Sequence, residues 1–501
     1  MASCRQCGTG RYTRERAGNT SPDLVILDPV DADRRHFPQR LWHDQREPDA
    51  GYRNFREALG TLYPTSYGYI PGDFLVSDPD FERSERTIYS FGYTLERELS
   101  DTTTLRQKFG ATSGDWDLRT LLWDVLGSDE RRITRSVTDA YTKSRQFSLD
   151  NQVEHRMNLG GGEHVLLGGI DLRYVRTYRD TSYGATANSI DWLDPNYGDI
   201  VVTGSPRRSE SISRLRQTGI YLQDQATFGN LHVQAGLRYD WAENDALNLL
   251  SGSRETQESE ALSGRLGLLY EMENGFSPYI SYSTSFEPVT QVPQAGEDPF
   301  DPTEGKQLEI GVKWANADDR LMVTASAYDL RQTNVLKAIS GTLPTEYEQV
   351  GEIRSRGFEI EGQGQLTERF SMLASYGYND SRISKSNNSG EVGAHNDRVP
   401  MHQVSLWGKY AFDNGWDAAL GIRYIGKSWA RANAFQVPGV TLVDAAVGYD
   451  FGALDSRYQG VRGQINITNL TDEFYAASCA SAYACWVGPE RQITAAIDYK
   501  W

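Results

Sequence analysis

The chain has 501 residues, and its 68 Asp and Glu against 51 Lys and Arg give a formal charge of −17, which disfavours a nucleic-acid partner because phosphate binding needs a basic surface. Mean hydropathy is −0.57, and no stretch reaches the roughly 18 apolar residues of a membrane helix, so any membrane role has to run through strands. The 47 Gly and 28 Tyr beside 6 Met lean toward turns and interfacial aromatics rather than a helical core.

Residues 1–60 open on charges and polar side chains, with no apolar segment of signal-peptide kind behind them. The charges and Pro29, Pro38 and Pro48 of residues 28–49 predict an irregular segment. Cys4 and Cys7 form a CxxC without a second pair at zinc-finger spacing, so a chance pair is favoured over a zinc half-site or redox motif. Arg56–Tyr69 is a poor strand candidate.

From Thr87 onward one unit repeats: an alternating strand, a tight turn, a second alternating strand and a long polar loop. Turns are predicted at Ser100-Asp101, Gly160-Gly161-Gly162, Gly229-Asn230, Asn274-Gly275, Asp318-Asp319, Thr367-Glu368, Asn414-Gly415 and around Leu454–Tyr458. Long loops are predicted at 113–146, 177–213, 244–257, 288–303, 334–349, 383–399 and 471–489. Short turns on one rim and long loops on the other describe a transmembrane antiparallel β-barrel, all-β, with about seventeen recognisable strands. That odd number implies either a strand hidden before Thr87 or missing N-terminal strands.

The last strand, Glu490 to Trp501, shows the pattern most plainly. Arg491, Ile493, Ala495, Ile497, Tyr499 and Trp501 alternate with Glu490, Gln492, Thr494, Ala496, Asp498 and Lys500, one face apolar and the other polar. The terminal Tyr and Trp suit the aromatic belt of a membrane interface. A soluble sandwich or propeller would bury its inner faces and show no such loop asymmetry.

Several motifs carry little chemistry. Gly421 to Ser428 satisfies the phosphate-loop pattern letter for letter, yet Leu420, Ile422 and Tyr424 alternate with Arg423, Ile425 and Lys427, so the stretch is a strand. His155, His164, His395 and His402 lack zinc-enzyme spacing, there is no nucleophile elbow, and no carboxylate pair stands out, so neither a metal site nor an enzyme is predicted. Cys479 and Cys485 bracket five residues in the last long loop, where a disulfide is favoured in an oxidising compartment. Aromatics collect in the long loops: Tyr183, Trp192, Tyr197, Phe300, Tyr347, Trp429, Phe435, Tyr483 and Trp486. Such rings are candidate contacts for a medium-sized ligand; the alternative is that they pack the loops together.

Pro302 to Trp314 followed by Ala327 to Val335 resembles the mid-barrel signature of TonB-dependent siderophore receptors, and Val350 to Ile360 resembles the strand that follows it. Asn466 to Tyr475, the cysteine loop and Gly488 to Trp501 are similar to that family's C-terminal end, while Phe147 to Gln152 and His164 to Asp171 resemble its ferrichrome-receptor branch. The resemblance covers roughly residues 65–501 and divides the chain into a non-homologous segment, 1–60, and a barrel, 61–501. It implies a barrel of 22 strands, normally closed by an N-terminal plug, for which this chain shows no counterpart, nor for the TonB box or signal peptide. About five strands would then be missing at the N-terminal side. The implied protein sits in the outer membrane against lipid and imports a ferric siderophore, a hydroxamate of the ferrichrome type, with TonB supplying energy to the complete protein. Iron arrives inside the chelate, so no cofactor is implied. Alternatives are a passive pore, a surface receptor for phage or bacteriocins, and a truncated product without function.

Overall fold

The computed structural model describes residues 55–291, 300–338 and 347–500, together with three strands ahead of them, Tyr12–Arg16, Asn19–Leu27 and Gln39–Arg46. Cys4, Cys7 and Trp501 lie outside the described residues. One 21-stranded sheet dominates; its pairings are antiparallel and, the two-residue Val202–Thr203 apart, join strands that follow one another in the sheet. Setting aside the three leading strands and the two-residue Val202–Thr203, seventeen strands run from Arg83–Ser100 to Gln492–Tyr499. A sheet of this size in up-and-down order forms the wall of a barrel, because open twisted sheets rarely exceed about ten strands. Residues 28–49, read from sequence as irregular, carry the strand Gln39–Arg46 against Arg83–Ser100, and with Tyr12–Arg16 and Asn19–Leu27 it makes three strands of the sheet ahead of Arg83.

All eight short turns fall where the sequence places them, and in four of them a glycine explains the sharpness. Gly161, Gly229, Gly275 and Gly415 have φ of +84°, +59°, +82° and +85°, a region other L-residues enter at a cost. The opposite rim differs from expectation. Residues 113–146 and 177–213 are mostly strand, since Thr103–Leu126, Arg132–Leu159, Gly162–Asp191 and Arg207–Phe228 run on past any bilayer. The 30 residues of Gly162–Asp191 make roughly 100 Å of extended chain, several times an apolar band about 25 Å tall. Beyond that band both faces meet water, so apolar alternation stops while backbone pairing continues.

The two faces of the wall are chemically distinct. Leu222, Leu237, Leu262, Ile280, Ile310, Ile360, Leu406, Leu420, Ile493 and Ile497 all point outward and exposed. The other face is tied by charge-assisted bonds: Arg238 to Asp240 and Asp171, Tyr221 to Asp150, Tyr279 to Glu309 and Lys409 to Asp417. Apolar outside and polar inside is the arrangement of a lipid-spanning barrel, the inverse of a soluble core.

Candidate functional site

The buried apolar clusters lie on the long-loop rim, built by a segment the sequence leaves unassigned. Residues 55–82 fold over the tips of the long strands. There Ile70, Phe74 and Val76 pack with Trp123, Leu126, Ile133, Ile190 and Trp192, and Leu59 and Tyr197 close the cluster. Polar groups fix the cap. Glu57 accepts from the Leu126 N–H at 2.8 Å, the Ser77 hydroxyl from the Leu121 N–H at 3.0 Å, and Asp78 from the Gly198 N–H at 2.7 Å. Buried Arg135 donates to the carbonyls of Asn188 and Val76. Burial pushes the Glu57 carboxyl above its usual range and the Arg135 guanidinium below its own.

On another part of the rim the loops 386–399 and 426–437 interlock. The Arg398 N–H donates to the Trp429 carbonyl at 2.8 Å, and the His395 N–H to Asn433 Oδ1 at 3.1 Å. The His395 ring stacks on Trp429 with centroids 5.6 Å apart and planes 6° from parallel. Burial, then repulsion from Arg382, lowers the His395 pKa and so favours the neutral ring. Asp397 receives Lys337 at 3.2 Å and Arg398 at 3.0 Å. Arg431 joins Glu391 to Glu348, holding both loops to the strand Tyr347–Gln365. Ala432, at φ +52°, is bent into the left-handed region to direct this turn. Arg398 also lies over the Trp486 ring, 5.7 Å from its centroid, which brings in the last hairpin, Ala476–Ser481 with Ala484–Val487. The hairpin is crossed by a disulfide between Cys479 and Cys485. The result is a surface of stacked rings and cations on which Lys337, Arg398 and Arg431 each lie beside a carboxylate or a ring.

The chain matches the family described as TonB dependent receptor-like, beta-barrel, over residues 27–470. It belongs to that family. The match begins well inside residues 1–60. Among curated relatives, the ferrichrome outer membrane transporter/phage receptor of Escherichia coli is 32% identical over 92% of this chain and 64% of its own length. The ferrioxamine B receptor of Salmonella typhimurium is 32% identical over 91% of this chain and 64% of its own. The chain thus spans just under two thirds of the length of these two relatives. Among solved structures, the siderophore receptor PiuA from Acinetobacter baumannii superposes with a TM-score of 0.80 at 19% identity, covering 98% of this chain and 76% of that one. That likeness confirms the receptor barrel as the fold.

Within this receptor-family barrel the nine aromatic candidates separate. Trp192 and Tyr197 belong to the cap cluster, where the Trp192 Nε1–H donates to the Glu130 carbonyl at 2.9 Å and the Tyr197 hydroxyl to the Leu75 carbonyl at 3.0 Å. Tyr183 and Phe300 are buried, and Phe435 packs beside the cysteines. Tyr347 begins a strand opposite Ala338. Tyr483 projects exposed from the hairpin tip. Trp429 and Trp486 share the interlocked surface through Arg398. Sequence reading missed the partners that unite them, Lys337, His395, Asp397, Arg398 and Arg431, because their spacing along the chain carries no period. Among the described residues, no group of three or more His, Cys, Asp or Glu is placed to hold a metal ion.

Proposed function

We propose that this chain is the barrel portion of an outer-membrane receptor for ferric siderophores, taking a ferrichrome-type hydroxamate chelate at the rim formed by Trp429, Trp486, His395 and Arg398. In the complete protein, uptake is driven by TonB. The observation that supports this most directly is the pairing of cations with carboxylates and rings on that rim. Lys337, Arg398 and Arg431 are each matched by Asp397, Glu348 or Glu391, a surface suited to an uncharged chelate and unsuited to a highly charged anion. The names of the E. coli and Salmonella relatives point the same way. Iron enters enclosed in its ligand, with no protein metal site, and the outer face of the wall contacts lipid.

The test is a titration of the purified chain with ferrichrome, ferrioxamine B and a ferric tris-catecholate, followed by tryptophan quenching. Saturable quenching by the hydroxamates and not by the catecholate is expected; the reverse order overturns the assignment. For the complete protein, uptake that continues unchanged after TonB is removed would mean a passive pore. A second reading, docking of phage or a protein toxin on the same rim, is favoured by the phage-receptor activity named for the E. coli relative.

A further inference from the structure

Two segments distant in sequence meet where Trp486 is held. The backbone of Arg56 pairs with Cys485 and that of Phe55 with Trp486, making Phe55–Arg56 the third strand of a small sheet whose other two strands are the cysteine hairpin. The Ala58 N–H adds a bond to the Ala482 carbonyl at 2.7 Å. The side chain of the same arginine is fully buried and donates to four carbonyls: Ile70 at 3.3 Å, Pro71 at 2.7 Å, Gly72 at 2.7 Å and Phe74 at 3.0 Å. Arg56 thus fastens the hairpin through its main chain and the cap through its guanidinium.

The hairpin needs that support. Strands of six and four residues with register shifts make a ladder too short to persist alone in water. One side of it is closed by the disulfide, whose cysteines are fully buried with Ala58, Val437 and Ala476, and against Leu62 and Phe435. The other side is closed by Phe55–Arg56. Trp486 follows Cys485, so strand alternation puts its ring on the face away from the disulfide, where Arg398 covers it. The small sheet thus joins the last hairpin to the segment ahead of Arg83.

We propose that Arg56 and the Cys479–Cys485 disulfide are positioning residues that hold Trp486 against Arg398, so that the segment 55–74 sets the geometry of the ligand-facing rim from outside it. The ligand half of this inference rests on the receptor function proposed above. Loss of either fastening leaves the hairpin hinged on the other, and the Trp486 ring leaves the cation.

The experiment reads Trp486 directly. Acrylamide quenching is measured on the full chain in detergent and on Trp486→Phe, the difference reporting that ring alone. Arg56→Met, and separately the wild type reduced with dithiothreitol, are expected to raise the Trp486 quenching constant toward that of a free indole and to weaken ferrichrome binding about tenfold, the loss of one well-placed contact. Reduction breaks the S–S bond to two thiols and leaves the reagent as its cyclic disulfide; removing the reagent and reoxidising restores both readings. Heat-modifiable migration in gels confirms that the barrel itself is intact. Should Arg56→Met fail to fold, the double substitution Cys479→Ser with Cys485→Ser decides. Unchanged Trp486 quenching in an intact barrel overturns the proposal. A wild type that binds no hydroxamate overturns the receptor reading instead, while the quenching result still decides the positioning.

Discussion

Leu237 offers the sharpest test of which face meets lipid. It is 64% exposed, beside Leu222 at 59%, its cross-strand partner, and near Leu262 at 66%, which lies opposite Tyr239. Its strand begins at Leu231, so Leu237 stands about 20 Å along the strand. At the tilt of about 40° usual for such walls that is about 15 Å up from the short-turn rim, near the middle of an apolar band about 25 Å tall. Leu237→Arg should therefore cost about 2–4 kcal/mol, the penalty for a guanidinium at the bilayer midplane. Gln234→Lys, on the opposite face of the same strand, should stay within about 0.5 kcal/mol, as most changes on a solvated surface do. Reversible guanidinium unfolding in lipid vesicles, followed by tryptophan emission, measures both. The two faces would each be in water, and the reasoning wrong, if Leu237→Arg cost as little as Gln234→Lys.

Two rim carboxylates respond to acid in opposite senses. Glu57 has a raised pKa because burial outweighs its hydrogen bonds from Leu126 and Trp123, so its contribution is full below its unfolded value of about 4.3 and is lost as pH rises through the folded value. Glu57→Gln keeps an acceptor for the Leu126 N–H, and hydrogen exchange at that amide should be as slow as in the wild type at pH 4 and slower at pH 8; faster exchange at pH 8 would refute the account. Burial pushes Asp397 up, but Lys337 and Arg398 overcome it and hold the carboxyl below its ordinary range. Its contribution is therefore full above about 3.9 and lost as pH falls through the folded value, which exchange across residues 395–399 should show as faster opening in acid. Lys337→Met should loosen the same loop by about 1–3 kcal/mol at neutral pH, and no change in exchange there would show that the pair holds nothing. A non-reduced digest should yield the Cys479 and Cys485 peptides joined; two free thiols would remove the fastening assigned to them.

The wall was legible in the sequence because lipid imposes a period. Ile493 and Ile497 alternate with Thr494 and Asp498 since one side of a bilayer-spanning strand cannot be polar, and turns such as Gly229-Asn230 announce themselves by their need for positive φ. The extension of Gly162–Asp191 beyond the membrane left no such mark. There the constraint is backbone pairing alone, which every residue except proline can satisfy, so residues 177–191 read as loop though they pair with Arg132–Leu159. Aromatic residue types pointed to the outer rim, but not to which rings are consumed by packing. Trp192 and Trp429 look alike in sequence; one closes the cap cluster and the other stacks on His395.

The cap formed by residues 55–82 was illegible for a deeper reason. A ladder repeats, and repetition is what a sequence displays; this segment is held by single side chains meeting single backbone groups. Nothing in its neighbourhood distinguishes Arg56 from the many arginines that face water. What makes it structural is the turn through Pro71 and Gly72, which leaves a run of carbonyls without strand partners, all within reach of one planar group with five donors. Lysine at this position would bring a charge and three donors on one atom, and could not serve acceptors spread from Ile70 to Phe74. The cap thus depends on the shape of a guanidinium rather than on its charge, a dependence visible only once the carbonyls it serves have been placed.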